Sequence, residues 1–198
     1  MLNLKKYSFE FFKYGLFFLS SAPIVSVFLI LLAAILNLNK ETKLNLTNIW
    51  SKSFLFIGIL IFISALFNHY FNYGSIFNNQ EKLNSLLGLA NWIPFFLLFP
   101  FFQTLLSTHQ KRETAIKFLV AGSLTVVFTG IAQYFFNIYG PFSIMNNFVI
   151  WYMKDISDPD NLNVGLAGLF SNQNYTATWL NIVLPLSVGL LQNKKNNK

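Results

Sequence analysis

Apolar residues run through this chain in long unbroken stretches, unlike the short alternations of a soluble fold. Five stretches, 14–39, 53–80, 83–110, 118–153 and 161–193, contain no Asp, Glu, Lys or Arg. A helix needs about 20 mostly apolar residues to cross a bilayer. Four segments read as spans: Trp50–Phe71, Leu86–Leu106, Ala115–Phe136 and the shorter Tyr175–Leu191. A further apolar region, Tyr7 to Leu38, is interrupted by Ser20, Ser21, Ala22 and Pro23. It reads as one tilted span, Gly15–Leu36, or as a tight hairpin of two short helices. In the hairpin Pro23 opens the second helix, where a missing N–H costs nothing.

Charge separates these two readings. Cytoplasmic loops of membrane proteins are enriched in Lys and Arg. With a single span, the 14 basic residues divide poorly between the two sides. With a hairpin, all but Lys82 and Lys154 fall on one side, together with both termini. The hairpin, or a re-entrant version of it, is therefore the favoured reading, although Glu10 and Lys13 lie in its first arm. A cleaved signal peptide fits the N-terminus less well, because the apolar stretch is too long and no small-residue cleavage site follows it.

Composition agrees. The chain has 198 residues, of which 54% are hydrophobic and 11% charged, with a mean hydropathy of +0.49. Soluble domains carry about 25% charged residues. A soluble enzyme, a disordered tail and a nucleic-acid-binding module are excluded. The expected fold is an all-α polytopic transmembrane bundle of about 5–6 spans, a single domain over residues 1–198. Residues 137–174 form its outer connection, with an interfacial helix, and both termini are cytoplasmic. There is no cysteine, hence no disulfide, Cys-based zinc site or thiol nucleophile.

Candidate chemistry is sparse. Ala121, Thr125, Thr129 and Gln133 recur at helical spacing, with Gly122 and Gly130 beside them. Small and hydroxyl residues let membrane helices approach closely. The sharper reading puts Gln133 on a polar cavity. Phe148 to Met153, including Trp151, is an aromatic cluster suited to the membrane interface. Asp158-Pro159-Asp160 formally matches an acidic pair used by nucleotide-sugar transferases, but a solvated turn explains it better. His69 and His109 lack metal-ligand partners at recognisable spacing. No cofactor and no metal are expected.

The stretch Gly165 to Tyr175 leads into the last span. Ser171, Asn172 and Asn174 are competent helix caps. Asn174, Thr178 and Asn181 form a polar stripe along that helix, and Pro185 lies further on. A helix N-terminus presents unpaired N–H groups and partial positive charge, both suited to phosphate. The candidate binding residues are thus Asn172, Asn174, Tyr175, Trp151 and Gln133.

Gly168-Leu-Phe-Ser-Asn-Gln-Asn-Tyr175, followed by Trp179-Leu-Asn-Ile-Val-Leu-Pro185, resembles the Gly-x-Phe-x-Asn-Pro-Asn-Tyr segment of the O-antigen ligase and polymerase family. Leu89-Ala-Asn-Trp-Ile-Pro94, the Gln133 helix and the stretch from Gly140 to Tyr152 are similar to its cyanobacterial members. The resemblance implies an inner-membrane protein that joins or extends glycans carried on a polyprenyl pyrophosphate at the periplasmic face. Two features depart from the pattern. Gln173 replaces the middle Pro, and Asn161 and Asn163 stand where many members carry an Arg. The resemblance matches only the first half of the family architecture. The Arg- and His-bearing periplasmic loop would have to come from a second polypeptide, without which no turnover is expected. No catalytic residue is assigned. The alternative readings are a transporter component, for bicarbonate or another small solute, and an inactive gene remnant.

Overall fold

The computed structural model describes residues 2–38, 48–71, 96, 98–144, 148–154 and 165–196. It is mostly helical. The chain divides into two compact units, one of Met1–Leu36 with Thr108–Lys198, the other of Asn37–Ser107. Most of the expected span Leu86–Leu106, the Leu89–Pro94 run, the side chain of His69 and the residues from Asp155 to Asn163 lie outside the described residues.

The first unit begins with a helical hairpin. Helix α1 covers Leu2–Phe18 and α2 covers Pro23–Leu36. The single tilted span Gly15–Leu36 is thereby replaced by two helices. They run antiparallel and are tied by two buried hydroxyls. Ser8 Oγ donates to the Ala33 carbonyl at 2.8 Å, and Ser26 Oγ donates to the Gly15 carbonyl at 2.7 Å. The charges of Glu10 and Lys13 in α1 are resolved locally. Lys13 pairs with Glu10 at 2.6 Å and sits 5.0 Å from the ring centre of Phe118.

Helix α4 spans His109–Phe136. Thr108 caps its start by accepting the Lys111 N–H, and Asn137 ends it in the left-handed conformation. It runs parallel to α1: Lys111 lies over Phe9, Tyr14 meets Phe118 edge-on at 5.4 Å, and Ser20 Oγ donates to the Gly122 carbonyl at 3.1 Å. The crossing point is Gly122, where any Cβ would overlap the Phe17 backbone carbonyl. The packed face of α4 is Gly122, Ser123, Val126, Thr129 and Gln133. Thr129 and Gln133 of the expected stripe lie on this face and Thr125 meets Ser20, whereas Ala121 is exposed and Gly130 has open space beside it.

Helix α5, Gln173–Asn196, packs antiparallel to α4, with Trp179 Nε1 donating to Ser123 Oγ at 3.0 Å. Pro185 lies inside it and removes the N–H that the Asn181 carbonyl would accept. Between α4 and α5 the chain forms a small antiparallel hairpin, β1 (Phe142–Ile144) with β2 (Val149–Trp151). The interfacial helix expected here is corrected to a strand. Val149, Ile150 and Trp151 are β-branched or aromatic, types that favour a pleated, half-buried surface.

The second unit holds α3, Ile49–Phe71, capped by Asn48 through the Trp50 N–H, and helical residues at 98–105. Phe54 stacks on Phe99 at 4.2 Å, and Asn37 donates to Thr104 Oγ1.

Burial is inverted relative to a soluble protein. Among the described residues, the largest fully buried side chains are Gln133, Val126, Pro100, Ser8, Ser26 and Ser51. The exposed ones include Phe28, Phe56, Phe62, Phe128, Phe135 and Leu184. Small and polar residues inside with large apolar residues outside is how helices pack in lipid. Exposed apolar area on this scale is rare on soluble monomers. Two described helices, at Ile49–Phe67 and His109–Phe136, are long and apolar enough to cross a membrane.

Candidate functional site

One end of the first unit is a layer of loops built around Gln133. Its side chain is 0% exposed. Oε1 accepts the Gly168 N–H at 2.7 Å, and Nε2 donates to the Lys154 carbonyl at 3.1 Å. The polar cavity expected at Gln133 is therefore absent at this residue, because both ends of its amide are occupied by backbone. Burial without those partners would be costly.

The turn that Gln133 holds is shaped by Gly168, which has φ +54° and where an added Cβ would meet the Val126 carbonyl and Thr129 Oγ1. Few residues other than glycine adopt that conformation without cost. Ala167 accepts the Thr176 hydroxyl, and Leu169 accepts the Tyr152 N–H at 3.0 Å. The turn is thus clamped by α4, by α5 and by the strand leaving the hairpin.

Trp151 is partly buried. Its Nε1 donates to the Ser21 carbonyl at 2.9 Å, which fastens the β-hairpin to the α1–α2 turn. Gly140 donates to the Met153 carbonyl at 2.9 Å and closes the base of the same hairpin. Trp151 is a strut here, with one ring edge committed to backbone.

Asn172 is the cap of α5. Its Oδ1 accepts the Asn174 N–H at 2.8 Å, and its carbonyl accepts the Tyr175 N–H at 3.2 Å. Two of the N–H groups that would suit a phosphate are therefore already engaged. The side chains of Asn174 and Tyr175 are exposed. Thr178 and Asn181 are exposed on the same helix, and the Thr178 hydroxyl is spent on the Asn174 carbonyl.

The structure thus brings Gln133, Trp151 and the Asn172–Tyr175 helix start into one layer joined through residues 165–170. Compared with known proteins, the chain matches no family model, no curated protein and no solved structure. Ser20, Ser21 and Trp179 complete the layer and its supports, and their roles were not legible in sequence. Ser20 and Ser21 look like a helix break alone. Their partners lie more than a hundred residues away. Among the described residues no cluster of His, Asp and Glu could hold a metal.

Proposed function

We propose that this chain is a multi-span inner-membrane protein that holds a polyprenyl-pyrophosphate-linked glycan at the periplasmic end of its helices. The observation that carries the reading is the clamped turn at 165–172, which presents the exposed Asn174 and Tyr175 at the start of α5. Both residues belong to the segment that resembles O-antigen ligases. Asn174 offers an amide to pyrophosphate or sugar hydroxyls, and Tyr175 offers an aromatic face to a sugar ring.

The distribution of charge supports the orientation. The antiparallel and parallel helix pairs put the N-terminus, the start of α4 and the end of α5 at one end of the unit. That end carries Lys111, Arg112 and Lys117, and the sequence adds Lys5, Lys6, Lys194 and Lys195. The opposite end, with Trp151 and Asn172, has Lys154 as its basic residue. The positive-inside rule makes the first end cytoplasmic.

Among the described residues no cluster of titratable side chains stands beside Asn174, so in this reading glycan transfer draws on residues supplied by another segment or a second polypeptide. The exposed stripe Asn174, Thr178 and Asn181 on α5 suits such a partner, because polar groups in hydrocarbon seek one. In the transport alternative Gln133, Asn174 and Asn181 would line a path; the two backbone partners of Gln133 favour the glycan reading over it.

The test is retention of a polyprenyl-pyrophosphate-linked oligosaccharide by the purified full chain. Asn174→Ala should weaken retention about tenfold, the loss of a well-made hydrogen bond to a charged ligand. Absence of retention by the unaltered chain, or solute flux in proteoliposomes made from it alone, would overturn the reading.

A further inference from the structure

Helix α5 has one packed side and one open side. Thr176, Trp179 and Val183 lie on the packed side, where Trp179 meets Ser123 of α4 and Thr176 holds Ala167. On the opposite side Thr178, Asn181, Pro185, Val188 and Gln192 are all exposed. They follow one another at three, four, three and four residues. That is the repeat of a left-handed coiled-coil seam, the commonest way for two helices to run side by side in a membrane.

The centre of this seam is polar and unsatisfied. Asn181 is exposed, and its side-chain amide makes no hydrogen bond. Its carbonyl has lost its helical donor to Pro185. It lies eight residues beyond the start of α5 at Gln173, about 12 Å along the axis. In a hydrocarbon layer about 30 Å thick that depth is out of reach of water. Polar groups left open there are costly. Helix α5, at 24 residues, has the length to cross, yet it is less apolar than α3 and α4. Lipid alone therefore covers this side poorly, and another protein surface covers it better.

The chemistry of the seam selects that surface. An amide both donates and accepts, so one Asn181 satisfies another. Among the described residues of α1 to α4, no exposed amide lies in the middle of a helix. Copies of one chain inserted in one membrane share an orientation, so a two-fold axis along the membrane normal sets each seam residue against itself. No seam residue is charged, so this self-pairing brings no like charges together. One polar Asn in such a seam also fixes register and the number of strands.

We infer that the partner of this face is a second copy of the chain, in a parallel dimer joined along α5 with Asn181 paired to Asn181 across the axis. The inference names an occupant for the stripe described above. It rests on the membrane reading, but not on the glycan site, and Asn174 is not needed for it.

The experiment uses the full chain in lipid vesicles. The chain has no cysteine, so a single introduced thiol forms a disulfide only between copies. Such a bond needs Cα atoms within about 7 Å. Under a mild oxidant Thr178→Cys and Val188→Cys should cross-link, whereas Ile182→Cys, exposed but off the seam, should not. Single-molecule photobleaching should show two copies per particle. Asn181→Leu should weaken association about tenfold, the scale of one interhelical polar contact, and Asn181→Gln should keep most of it. Single copies of the unaltered chain would overturn the inference in favour of a different polypeptide or another segment of this chain on the seam. Equal cross-linking at Ile182→Cys would overturn it, as would full association of Asn181→Leu. Extraction of the unaltered chain from vesicles by alkaline carbonate would instead sink the membrane reading itself.

Discussion

Gln133 and Gly168 are joined by a 2.7 Å hydrogen bond in which the glycine N–H donates to the glutamine amide oxygen across 35 residues of sequence. The other end of the same amide holds the Lys154 carbonyl. One buried side chain on α4 therefore sets the height of both segments that carry the candidate residues.

Replacing Gln133 by Leu should take the acceptor from the Gly168 N–H and the amide donor from the Lys154 carbonyl. The expected loss is about 1–3 kcal/mol, read as a lower thermal midpoint in detergent. Because the same change releases the 165–172 turn, glycan retention should fall with it even though Gln133 does not reach the ligand. A Gln133→Leu protein as stable as the original would remove Gln133 from the support of the site.

Gly122 and Gly168 are expected to resist substitution for different reasons. At Gly122 the obstacle is backbone, the Phe17 carbonyl, which has no rotamer to change. Gly122→Ala should pry α1 from α4 and lower stability by about 1–3 kcal/mol, the usual cost of overpacking. At Gly168 an added Cβ would meet nothing closer than 3.3 Å, so the cost is mainly conformational. Gly168→Ala should cost about 1–2 kcal/mol, and Gly168→Asn less, since Asn enters the left-handed region more readily. Gly130→Ala is the control, because nothing lies near it. It should be neutral or raise stability by up to about 1 kcal/mol through helix propensity. Thermal unfolding of the four variants in one detergent gives the order.

Asn172 and Asn174 are separable by experiment. Asn172→Ala removes the α5 cap and should cost about 1 kcal/mol, with Asn172→Asp or Asn172→Ser restoring most of it. Asn174→Ala should leave the thermal midpoint within about 0.5 kcal/mol, as for exposed surface changes, and act on ligand retention alone. If instead Asn174→Ala lowers stability as much as Asn172→Ala, the residue is structural and its assignment to the site fails.

The absence of cysteine allows topology to be read without background. Gln110 and Ser171 are exposed at opposite ends of the first unit. Gln110→Cys should react with an impermeant thiol reagent only from the cytoplasm, and Ser171→Cys only from outside. Reaction of both from the same side would reject the spanning arrangement of α4 and α5.

Sequence alone determined the composition of the elements. Apolar runs long enough to span, a proline at the start of α2, a capping Asn before α5 and strong segregation of basic residues are all local properties, written in consecutive residues. The hairpin of α1 and α2 was legible because Pro23 suits a helix start and because a hairpin puts all but Lys82 and Lys154 of the basic residues on one side. The strand at Val149–Trp151 was not, because a short apolar run fits a helix and a strand equally until a partner appears. That partner, Phe142–Ile144, exists only in the folded chain. The same holds for the site. Sequence singled out Gln133, Trp151 and Asn172, but left Gln133 between a packing contact and a polar cavity. Tertiary structure decided that its amide is sealed by Gly168 and Lys154, and that Trp151 is spent on Ser21. It also seated Gly122 against the Phe17 carbonyl and left Ala121 exposed. These outcomes depend on which backbone groups arrive within hydrogen-bonding distance from remote parts of the chain. Local pattern carries no record of that.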